Sequence, residues 1–435
     1  MLHQLDYEFT DKEISPWGGL RFIYELHERC GLKQKLTDLA LPVPGSNRGY
    51  QPNQIIEGFL VSVILGAKRF THSGTIRHDE VISKIFGWEK GMASESTFTR
   101  FFRQFSTESN DFYMTRLNKW WFENIEIEKH TIDIDSSVIT RYGEQEGVEV
   151  GYNPKKHGRA SHHPIIAFSA EAKMVIQAWM RTGNSVSSTE FSEFFEQVKN
   201  TLPKEKIGLI RADNGFSSPR ILGQLEGEGY NYIVAAKMYE GLVSKIFDQK
   251  NWQKISKGID CCSFEYKLPG WDVSRRIVVA RKNEVLLPES GGKTLFPEYE
   301  RFAKYRYSAF ITNMDLSAEL IWSIYKKRAD AENQIKELKY NYGMEGFCSE
   351  SFSATEAAFR WVMVAYNLMS LFKQKTVTTK SIPTLSTLRF QCIAIGSYII
   401  TRGRKEVLKL AVKESKRDFY DTLFKKLNFV TQSTA

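Results

Sequence analysis

Cysteine is scarce in this chain, with five residues in 435. They are Cys30, Cys261, Cys262, Cys348 and Cys392, an odd number in which no pair has CxxC spacing. A disulfide framework needs cysteines that can pair, and a structural zinc site needs closely spaced ligand pairs. The sequence predicts neither, and we expect buried or incidental thiols in a reducing compartment.

Long apolar runs are also missing. The longest apolar stretches, residues 58–67 and 361–372, are too short or too interrupted to supply the ~20 residues of a membrane span. The first residues lack the basic and then apolar layout of a signal peptide. We therefore expect a soluble, cytoplasmic protein with no membrane partner.

Acidic residues are outnumbered, because 60 Lys and Arg face 51 Asp and Glu, for a formal net charge of +9 and a pI near 9.0. A basic balance fits a polyanionic partner such as nucleic acid, although many basic proteins bind nothing charged. The hydrophobic fraction of 42% indicates a globular chain, and its length predicts more than one domain.

Residues 1–125 are predicted to be mainly helical. Within them, residues 94–102 begin with a capping serine, and their phenylalanines fall on one side with Arg100 on another. This pattern is typical of a helix-turn-helix unit that lies on DNA, and equally of an ordinary packing helix. From position and charge we predict a DNA-binding region in which Arg100 contacts phosphate.

A strand is predicted for residues 130–138, where β-branched residues recur with a period of two. Asp133 and Asp135 therefore share one face of this strand. Burying two carboxylates is costly unless they are paired or bind a cation.

A basic, glycine-containing loop follows at residues 151–159. Such loops can present cationic and backbone N–H groups to an anion. We predict that Lys155, Lys156 and Arg159 contact DNA.

Further strands alternate with helical segments. A strand pair is predicted at residues 164–170 and 173–181, and single strands at 207–210 and 230–236. Asp213 follows the 207–210 strand directly, and α/β sheets place ligand-binding groups at such carboxyl ends of strands. A plain turn or helix cap is the alternative for Asp213.

Residues 240–304 interrupt this alternation with β-like runs, and a further strand is predicted at 305–312. The segment is longer than one strand and one helix need, which indicates a β-rich insertion. Trp271 follows a Pro-Gly pair and is predicted at a hairpin tip.

A continuous helix is predicted over residues 315–341, which contain no Gly or Pro. At ~100° per residue, Tyr325, Arg328, Glu332 and Lys339 fall within an arc of about 60° beside an apolar face. A solvated charged face with an ordinary i,i+4 pair is the alternative.

A strand aspartate, a strand-end aspartate and a helix glutamate on a β-β-β-α-β-α-β-α pattern indicate an RNase H-like fold. Phosphodiester cleavage needs an activated oxygen nucleophile and a stabilised leaving oxygen, which two divalent cations about 4 Å apart provide. We predict that Asp135 bridges two Mg²⁺ ions, with Mn²⁺ as a substitute, while Asp213 and Glu332 each hold one.

The companions of the helix glutamate suit a phosphate backbone. Arg328 and Lys339 are predicted to grip phosphates that flank the scissile bond. Tyr325 is predicted to stack on a base or bond a phosphate.

The chain resembles bacterial insertion-sequence transposases of the DDE class. One group of these carries Tyr, two residues, Arg, three residues, Glu, six residues and Lys, a spacing matched by Tyr325, Arg328, Glu332 and Lys339. Residues 133–138 and 211–216 resemble the two aspartate motifs of the family, so that the likeness covers about residues 128–375.

The resemblance implies cut-and-paste movement of a DNA element. A homodimer would bind the terminal inverted repeats, water would attack one strand at each end, and the 3′-OH ends would later attack target DNA. In many relatives a hairpin forms in between. Trp271 is a candidate to stack where a base is flipped out near a hairpin, with a core tryptophan as the alternative.

Three alternatives compete with this interpretation. One is an RNase H-like nuclease or junction resolvase that cuts without joining. Another is a domesticated DNA-binding protein without catalysis, and the third is a basic α/β protein with ordinary ion pairs. Within the site, Asp133 competes with Asp135, which we prefer because it lies nearer the strand end.

The predicted fold class is α/β, with an RNase H-like core, a β-rich insertion before the glutamate helix, and helical flanking regions. The predicted division begins with a DNA-binding region at residues 1–125. The core follows in two parts, residues 126–239 and 305–375, with the insertion at residues 240–304 between them. A basic helical region at residues 376–435 comes last.

Overall fold

The residues described by the structure, a computed structural model, are 6–43, 45, 49–154, 156–268, 270–283, 305–377 and 382–428. Contacts between residues divide the chain into two compact units, one of residues 118–336 and the other of residues 1–117 with 337–435. Both boundaries fall inside helices, and the division is coarser than the five regions expected from the sequence.

The strands of the described residues are numbered in chain order. They are β1 (Ile14–Ser15), β2 (His130–Ser136), β3 (Ile139–Thr140), β4 (Glu149–Val150), β5 (Ala160–His162), β6 (Ile165–Ser169), β7 (Met174–Trp179), β8 (Ile207–Ala212), β9 (Tyr232–Ala235), β10 (Gln253–Ser256), β11 (Ile259–Tyr266), β12 (Arg275–Asn283), β13 (Tyr305–Thr312), β14 (Ser397–Arg402) and β15 (Lys405–Leu410).

The α-helices are numbered in the same way. They are α1 (Leu20–Arg29), α2 (Leu32–Asp38), α3 (Pro52–Leu65), α4 (Phe70–Ile76), α5 (Glu80–Phe86), α6 (Glu95–Phe102), α7 (Thr107–Glu123), α8 (Phe191–Thr201), α9 (Pro219–Gly227), α10 (Glu240–Phe247), α11 (Ala318–Lys326), α12 (Ala329–Asn341), α13 (Phe352–Thr376), α14 (Leu385–Leu388) and α15 (Glu414–Asn428).

A nine-stranded mixed sheet dominates the unit of residues 118–336. Its strand order is β10-β11-β12-β13-β9-β8-β2-β6-β7. β2, β8 and β9 run parallel, whereas β6 is antiparallel to both β2 and β7, and β13 is antiparallel to β9. A small sheet of order β3-β5-β4 follows directly after β2 in the chain.

Strand β2, an interior strand of this sheet, is buried on both faces. Ile132 and Ile134 occupy one face, and Asp133 and Asp135 the other, with the two carboxylates 1% and 8% exposed. The predicted strand with two aspartates on one face is confirmed, and the question becomes what balances their charges.

The described residues of the predicted insertion contain one helix and three strands. After β9 the chain forms α10 and then β10, β11 and β12, which extend the large sheet through β13. Residues 284–304 of the predicted insertion lie outside the described ranges.

The predicted continuous helix over residues 315–341 is wrong, because α11 ends at Lys326 and α12 begins at Ala329. Between them, the backbone N–H groups of Lys327 and Arg328 donate to carbonyls three residues back, at 3.3 and 2.8 Å. Because the helix is broken between Tyr325 and Arg328, the four signature residues do not lie on one continuous helix.

Two contacts with the end of β8 hold the last turn of α11. Arg211 donates from Nη1 to the carbonyl oxygen of Ile324 at 2.5 Å, and the Tyr325 hydroxyl donates to the carbonyl oxygen of Ala212 at 3.3 Å. Because both partners are distant in sequence, the spacing of residues 315–341 could not reveal this break.

The other unit is built on buried helices. α3 packs with its neighbours through aromatic rings, and Phe59 lies with its ring centroid 4.9 Å from those of both Phe102 and Phe347. The predicted helix at residues 94–102 is confirmed as α6, which the Ser94 side chain caps by accepting from the Thr97 N–H. Among the described residues, no helix has the length and hydropathy of a membrane span.

The predicted helical region at residues 376–435 contains a β-hairpin, so this prediction is only partly correct. β14 pairs with β15 around Gly403, whose φ of 61° suits a tight turn, and β1 pairs with β14. The β-branched residues of β14 and the glycine turn after it were a hairpin signal that the clustered lysines and arginines obscured. α15 follows as the helical part.

Candidate active site

Two aspartates lie beside each other at the carboxyl ends of two neighbouring strands in the large sheet. β2 and β8 are parallel neighbours, and Ile134 is paired with Ala212 in their register. Asp135 and Asp213 each come one residue later, at the ends of strands that lie about 4.8 Å apart. This is the carboxyl edge of the parallel strands, where α/β folds bind ligands.

Asp213 also caps the turn that follows it. Its Oδ1 accepts from the backbone N–H of Gly215 at 2.9 Å, at the start of a short 3₁₀ turn, Asn214–Phe216. The capping and ligand-binding interpretations are therefore compatible, because the cap orients the carboxylate at the sheet edge.

Arg328 is the cation closest to the first aspartate. Its side chain is only 5% exposed, and Nη2 lies 3.0 Å from Oδ2 of Asp135 and 3.4 Å from the carbonyl oxygen of Ile134. Nη1 lies 3.7 Å from Oε1 of Glu332. The guanidinium therefore stands between the first aspartate and the glutamate, and in this arrangement it does not face solvent or a phosphate.

The electrostatics of the site favour a cation. Burial raises the pKa of Asp135 to about 6, with Arg328 opposing the rise and Asp213 adding to it. Burial also raises the pKa of Asp213. Burial by itself would lower the pKa of Arg328, but the neighbouring charges, Asp135 first among them, raise it above its ordinary value.

Glu332 differs from the two aspartates, because its side chain is 57% exposed. In the parts of the chain that the structure describes, no three His, Cys, Asp or Glu side chains are grouped closely enough to hold a metal ion. The chemistry of the donor set nevertheless suits a hard divalent cation, since carboxylate oxygens are its preferred ligands.

Asp133 forms a different pair. Oδ1 and Oδ2 accept from Nε and Nη2 of Arg211, both at 2.7 Å, and both side chains are buried. The parallel register places Arg211 directly beside Asp133 on the neighbouring strand. Burial raises the pKa of Asp133 while the guanidinium opposes the rise.

Tyr325 is engaged inside the protein. Besides the hydrogen bond to β8, its ring centroid lies 4.4 Å from that of Phe310. Burial raises the pKa of its hydroxyl to about 12, so it remains protonated at neutral pH. Base stacking by Tyr325 would require its ring to leave this packing.

The remaining predicted DNA contacts are differently placed. Lys156, Arg159 and Arg100 are exposed, whereas Lys155 lies outside the described residues. Lys339 places Nζ 2.8 Å from a carboxylate oxygen of Glu345.

Trp271 lies between β11 and β12, in the predicted turn, but only 6% of it is exposed. The guanidinium carbon of Arg275 lies 5.0 Å from the centre of its ring. Stacking on a flipped base would require the ring to be uncovered, so that role stays a prediction.

Sequence reasoning missed two contributors to this sheet edge. Arg211 lies two residues before Asp213 in the same motif, and its charge beside a buried strand was the available signal. Lys237 follows β9, and its charge is one of those that oppose the rise in the pKa of Asp213. No local pattern distinguished Lys237 from other surface lysines.

Comparison with known proteins gives a family match over nearly the whole chain. The family model described as "Transposase DDE domain group 1" matches residues 2–432. The chain is also similar to a solved structure described as a cryo-EM structure of the piggyBac transposase synaptic complex with hairpin DNA, at 10% identity and a TM-score of 0.43, covering 98% of this chain and 89% of that chain. A TM-score of this size supports no further conclusion. No curated protein matches the chain.

Proposed function

Because this chain belongs to the DDE transposase family, group 1, we propose that it moves an insertion sequence by cut-and-paste transposition. It would cleave DNA at the terminal inverted repeats and join the freed 3′ ends to target DNA. We place it in the bacterial cytoplasm, associated with the nucleoid when it is bound to DNA.

One observation carries the assignment of the site. Asp135 and Asp213 occupy neighbouring ends of parallel strands, and Arg328 connects this pair to Glu332. The order β7-β6-β2-β8-β9, with only β6 antiparallel to its neighbours, supports an RNase H-like core. The three carboxylates then come from the first strand, the end of the fourth strand and a later helix.

The carboxylates would hold two divalent cations, Mg²⁺ by default and Mn²⁺ as a substitute. When bound, these ions supply an activated oxygen nucleophile and stabilisation of the leaving oxygen. Asp135 and Asp213 contribute oxygens that the strand ends fix in place, and Glu332 contributes an oxygen from an exposed position on α12.

Arg328 has a charge-balancing role in this proposal. Its guanidinium lies 3.0 Å from Asp135 and 3.7 Å from Glu332, so one positive charge partly offsets the carboxylates that face this end of the sheet. A phosphate contact by Arg328 would follow only after the guanidinium turns away from Asp135.

DNA would be held by exposed cations. Lys156, Arg159 and Arg100 are exposed at the surface, where they would contact phosphates, and each such contact makes binding weaken as salt rises. Lys155, Lys339, Tyr325 and Trp271 remain predicted DNA contacts, and a homodimer on two element ends remains the predicted assembly.

A cleavage assay tests the proposal. A labelled duplex that carries the element's own terminal repeat is incubated with Mg²⁺ and wild type, Glu332→Gln or Asp330→Asn. Asp330 is a matched control, because it lies on the same helix and its carboxylate contacts Lys173 at 2.7 Å. We expect wild type and Asp330→Asn to cut at the repeat boundary and Glu332→Gln to be inactive.

The other outcomes separate the alternatives. Equal cleavage by Glu332→Gln would remove Glu332 from the site. Binding without cleavage by wild type would identify a domesticated DNA-binding protein. Cleavage without strand transfer from precut ends would indicate a nuclease.

A further inference from the structure

A buried arginine beyond the carboxylates holds the segment of residues 186–189, called the bridging segment below. Arg181 is 2% exposed and donates from Nη1 to three carbonyl oxygens of this segment, those of Val186, Ser187 and Thr189 at 3.1, 3.3 and 2.6 Å. Its Nε donates to the carbonyl oxygen of His163 at 3.0 Å. One guanidinium therefore fixes the backbone of the bridging segment.

Burial lowers the pKa of Arg181 to about 10, so the guanidinium is still charged at neutral pH. Its bonds to carbonyls are charge-assisted and stronger than bonds between neutral groups. A segment without helix or strand hydrogen bonds is thereby held in one place.

The bridging segment presents Ser187 to the end of β2, the strand that carries the first aspartate. Oγ of Ser187 lies 2.8 Å from Oγ of Ser136, the last residue of β2. The backbone N–H of Ser136 donates to Oδ1 of Asp135 at 2.8 Å. Ser187 is thus one hydrogen bond away from the group that orients Asp135.

The same serine lies against the turn that carries the second aspartate. A Cβ added at Gly215 would come within 2.5 Å of Oγ and 2.6 Å of Cβ of Ser187 and 3.0 Å of Oδ1 of Asp213, so a larger residue there requires these groups to shift. The Gly215 N–H is the donor to Oδ1 of Asp213. Ser187 therefore touches the partners of both carboxylates.

We propose that Ser187, held by Arg181, is a positioning residue that sets the spacing of Asp135 and Asp213. The inference deepens the proposed function and rests on it for the chemical role of the two carboxylates. The positioning itself is a property of the metal-free protein and can be measured there.

The first experiment measures amide hydrogen exchange of the metal-free protein in wild type, Ser187→Ala and Ser188→Ala. Ser187→Ala removes only the hydroxyl and leaves the Arg181 contacts to backbone in place. Ser188 is the matched control, because it is a half-buried serine in the same segment. We expect peptides that contain Ser136 and Gly215 to exchange about fivefold faster in Ser187→Ala only, the effect of losing one hydrogen bond.

The second experiment measures Mn²⁺ binding by electron paramagnetic resonance and cleavage of the terminal repeat. Binding that Asp135→Asn abolishes defines the site. Loss of groups that orient metal ligands weakens affinity by roughly tenfold or more. We therefore expect Ser187→Ala to bind Mn²⁺ about tenfold more weakly and to need correspondingly more Mg²⁺ for cleavage.

Gly215→Ala provides a second route to the same contact. Its methyl group must displace the side chain of Ser187. We therefore expect faster exchange at Ser136, although Ser187 itself is not substituted. Thermal melting of each variant shows whether the whole chain remains folded.

The results separate the inference from the function. Unchanged exchange at Ser136 and Gly215 in Ser187→Ala overturns the inference. Faster exchange with unchanged Mn²⁺ binding and cleavage also overturns it, because the segment would then be merely structural. If wild type neither binds Mn²⁺ at Asp135 nor cleaves, the proposed function fails, whereas the exchange data still decide whether Ser187 positions the two turns.

Discussion

The two aspartates of β2 lie two residues apart on one face, yet their surroundings differ. Asp133 receives two hydrogen bonds of 2.7 Å from Arg211, a partner placed beside it by strand register. Asp135 receives a single contact of 3.0 Å from Arg328, which comes from a helix break, and it has Asp213 as a neighbour on the next strand. One charge is fully paired and the other is only partly balanced.

This difference indicates a structural role for Asp133 and a chemical role for Asp135, although both lie on one strand. A buried carboxylate whose two oxygens both accept from an arginine already has its charge offset, and it gains less from an additional cation. A carboxylate at the sheet edge, beside a second carboxylate and raised in pKa to about 6, gains from an additional cation. This contrast supports Asp135 over Asp133 as the first carboxylate of the proposed site.

The most direct test of this difference compares cleavage by Asp135→Asn with cleavage by Asp133→Asn. We expect Asp135→Asn to lower the rate of cleavage at the terminal repeat by a factor on the order of 10³ or more, as removal of an essential group does. Asp133→Asn should retain cleavage in the molecules that remain folded. If Asp133→Asn alone abolished cleavage while Asp135→Asn stayed active, the assignment would be reversed.

Substitution of Arg211 tests whether the ion pair of Asp133 and Arg211 stabilises the fold. Arg211→Met leaves the Asp133 carboxylate buried without its partner, and we expect the free energy of unfolding to fall by about 3–5 kcal/mol in urea titrations. The double variant Asp133→Leu with Arg211→Met should recover most of that loss, because no charge is then buried. A double variant as unstable as Arg211→Met would contradict the ion-pair explanation.

The charge of Asp135, which is only partly balanced, is tested by measuring the free energy of unfolding over a pH series in the presence of EDTA. The folded protein holds the Asp135 proton more tightly than the unfolded chain does, with a pKa of about 6 against 3.8. The cost of the ionised carboxylate is therefore present above pH 6 and disappears as the pH falls towards 4. Asp135→Asn, which mimics the protonated form, should be about 2–3 kcal/mol more stable than wild type at pH 8 and equal to it near pH 4. A pH-independent difference in unfolding free energy would count against this account.

An exposed ion pair supplies the smallest expected effect. Lys173 and Asp330 approach to 2.7 Å, but both are accessible to solvent. We expect Asp330→Asn to change the free energy of unfolding by less than about 1 kcal/mol, because water and salt screen such pairs. A loss comparable to that of Arg211→Met would mean that burial does not explain the contrast.

Local patterns in the sequence predicted the parts of this site that depend on neighbours in the chain. The alternation around Asp133 and Asp135 predicted a strand with both carboxylates on one face, and the turn after residues 207–210 predicted Asp213 at a strand end. Both follow from backbone geometry that a few residues determine.

Long-range contacts decided the rest. The break before Arg328 accompanies contacts between the last turn of α11 and the distant strand β8. The burial of Trp271 accompanies its packing against Arg275. Helical periodicity assumed a straight axis, and it therefore placed Arg328 on one stripe with Glu332 and Lys339 beside an apolar face. Strand register, which makes Arg211 the partner of Asp133, has no signature in local sequence.

The two ends of the β-rich insertion lie next to each other, and this has a consequence for how such proteins can diversify. The insertion leaves the core at the end of β9 and returns through β13, and Ala235 and Phe310 are paired across these two antiparallel strands. Its entrance and exit are therefore adjacent, as the two ends of a hairpin loop are. A segment attached in this way can lengthen, shorten or be exchanged in evolution while the strands that carry Asp135 and Asp213 keep their register.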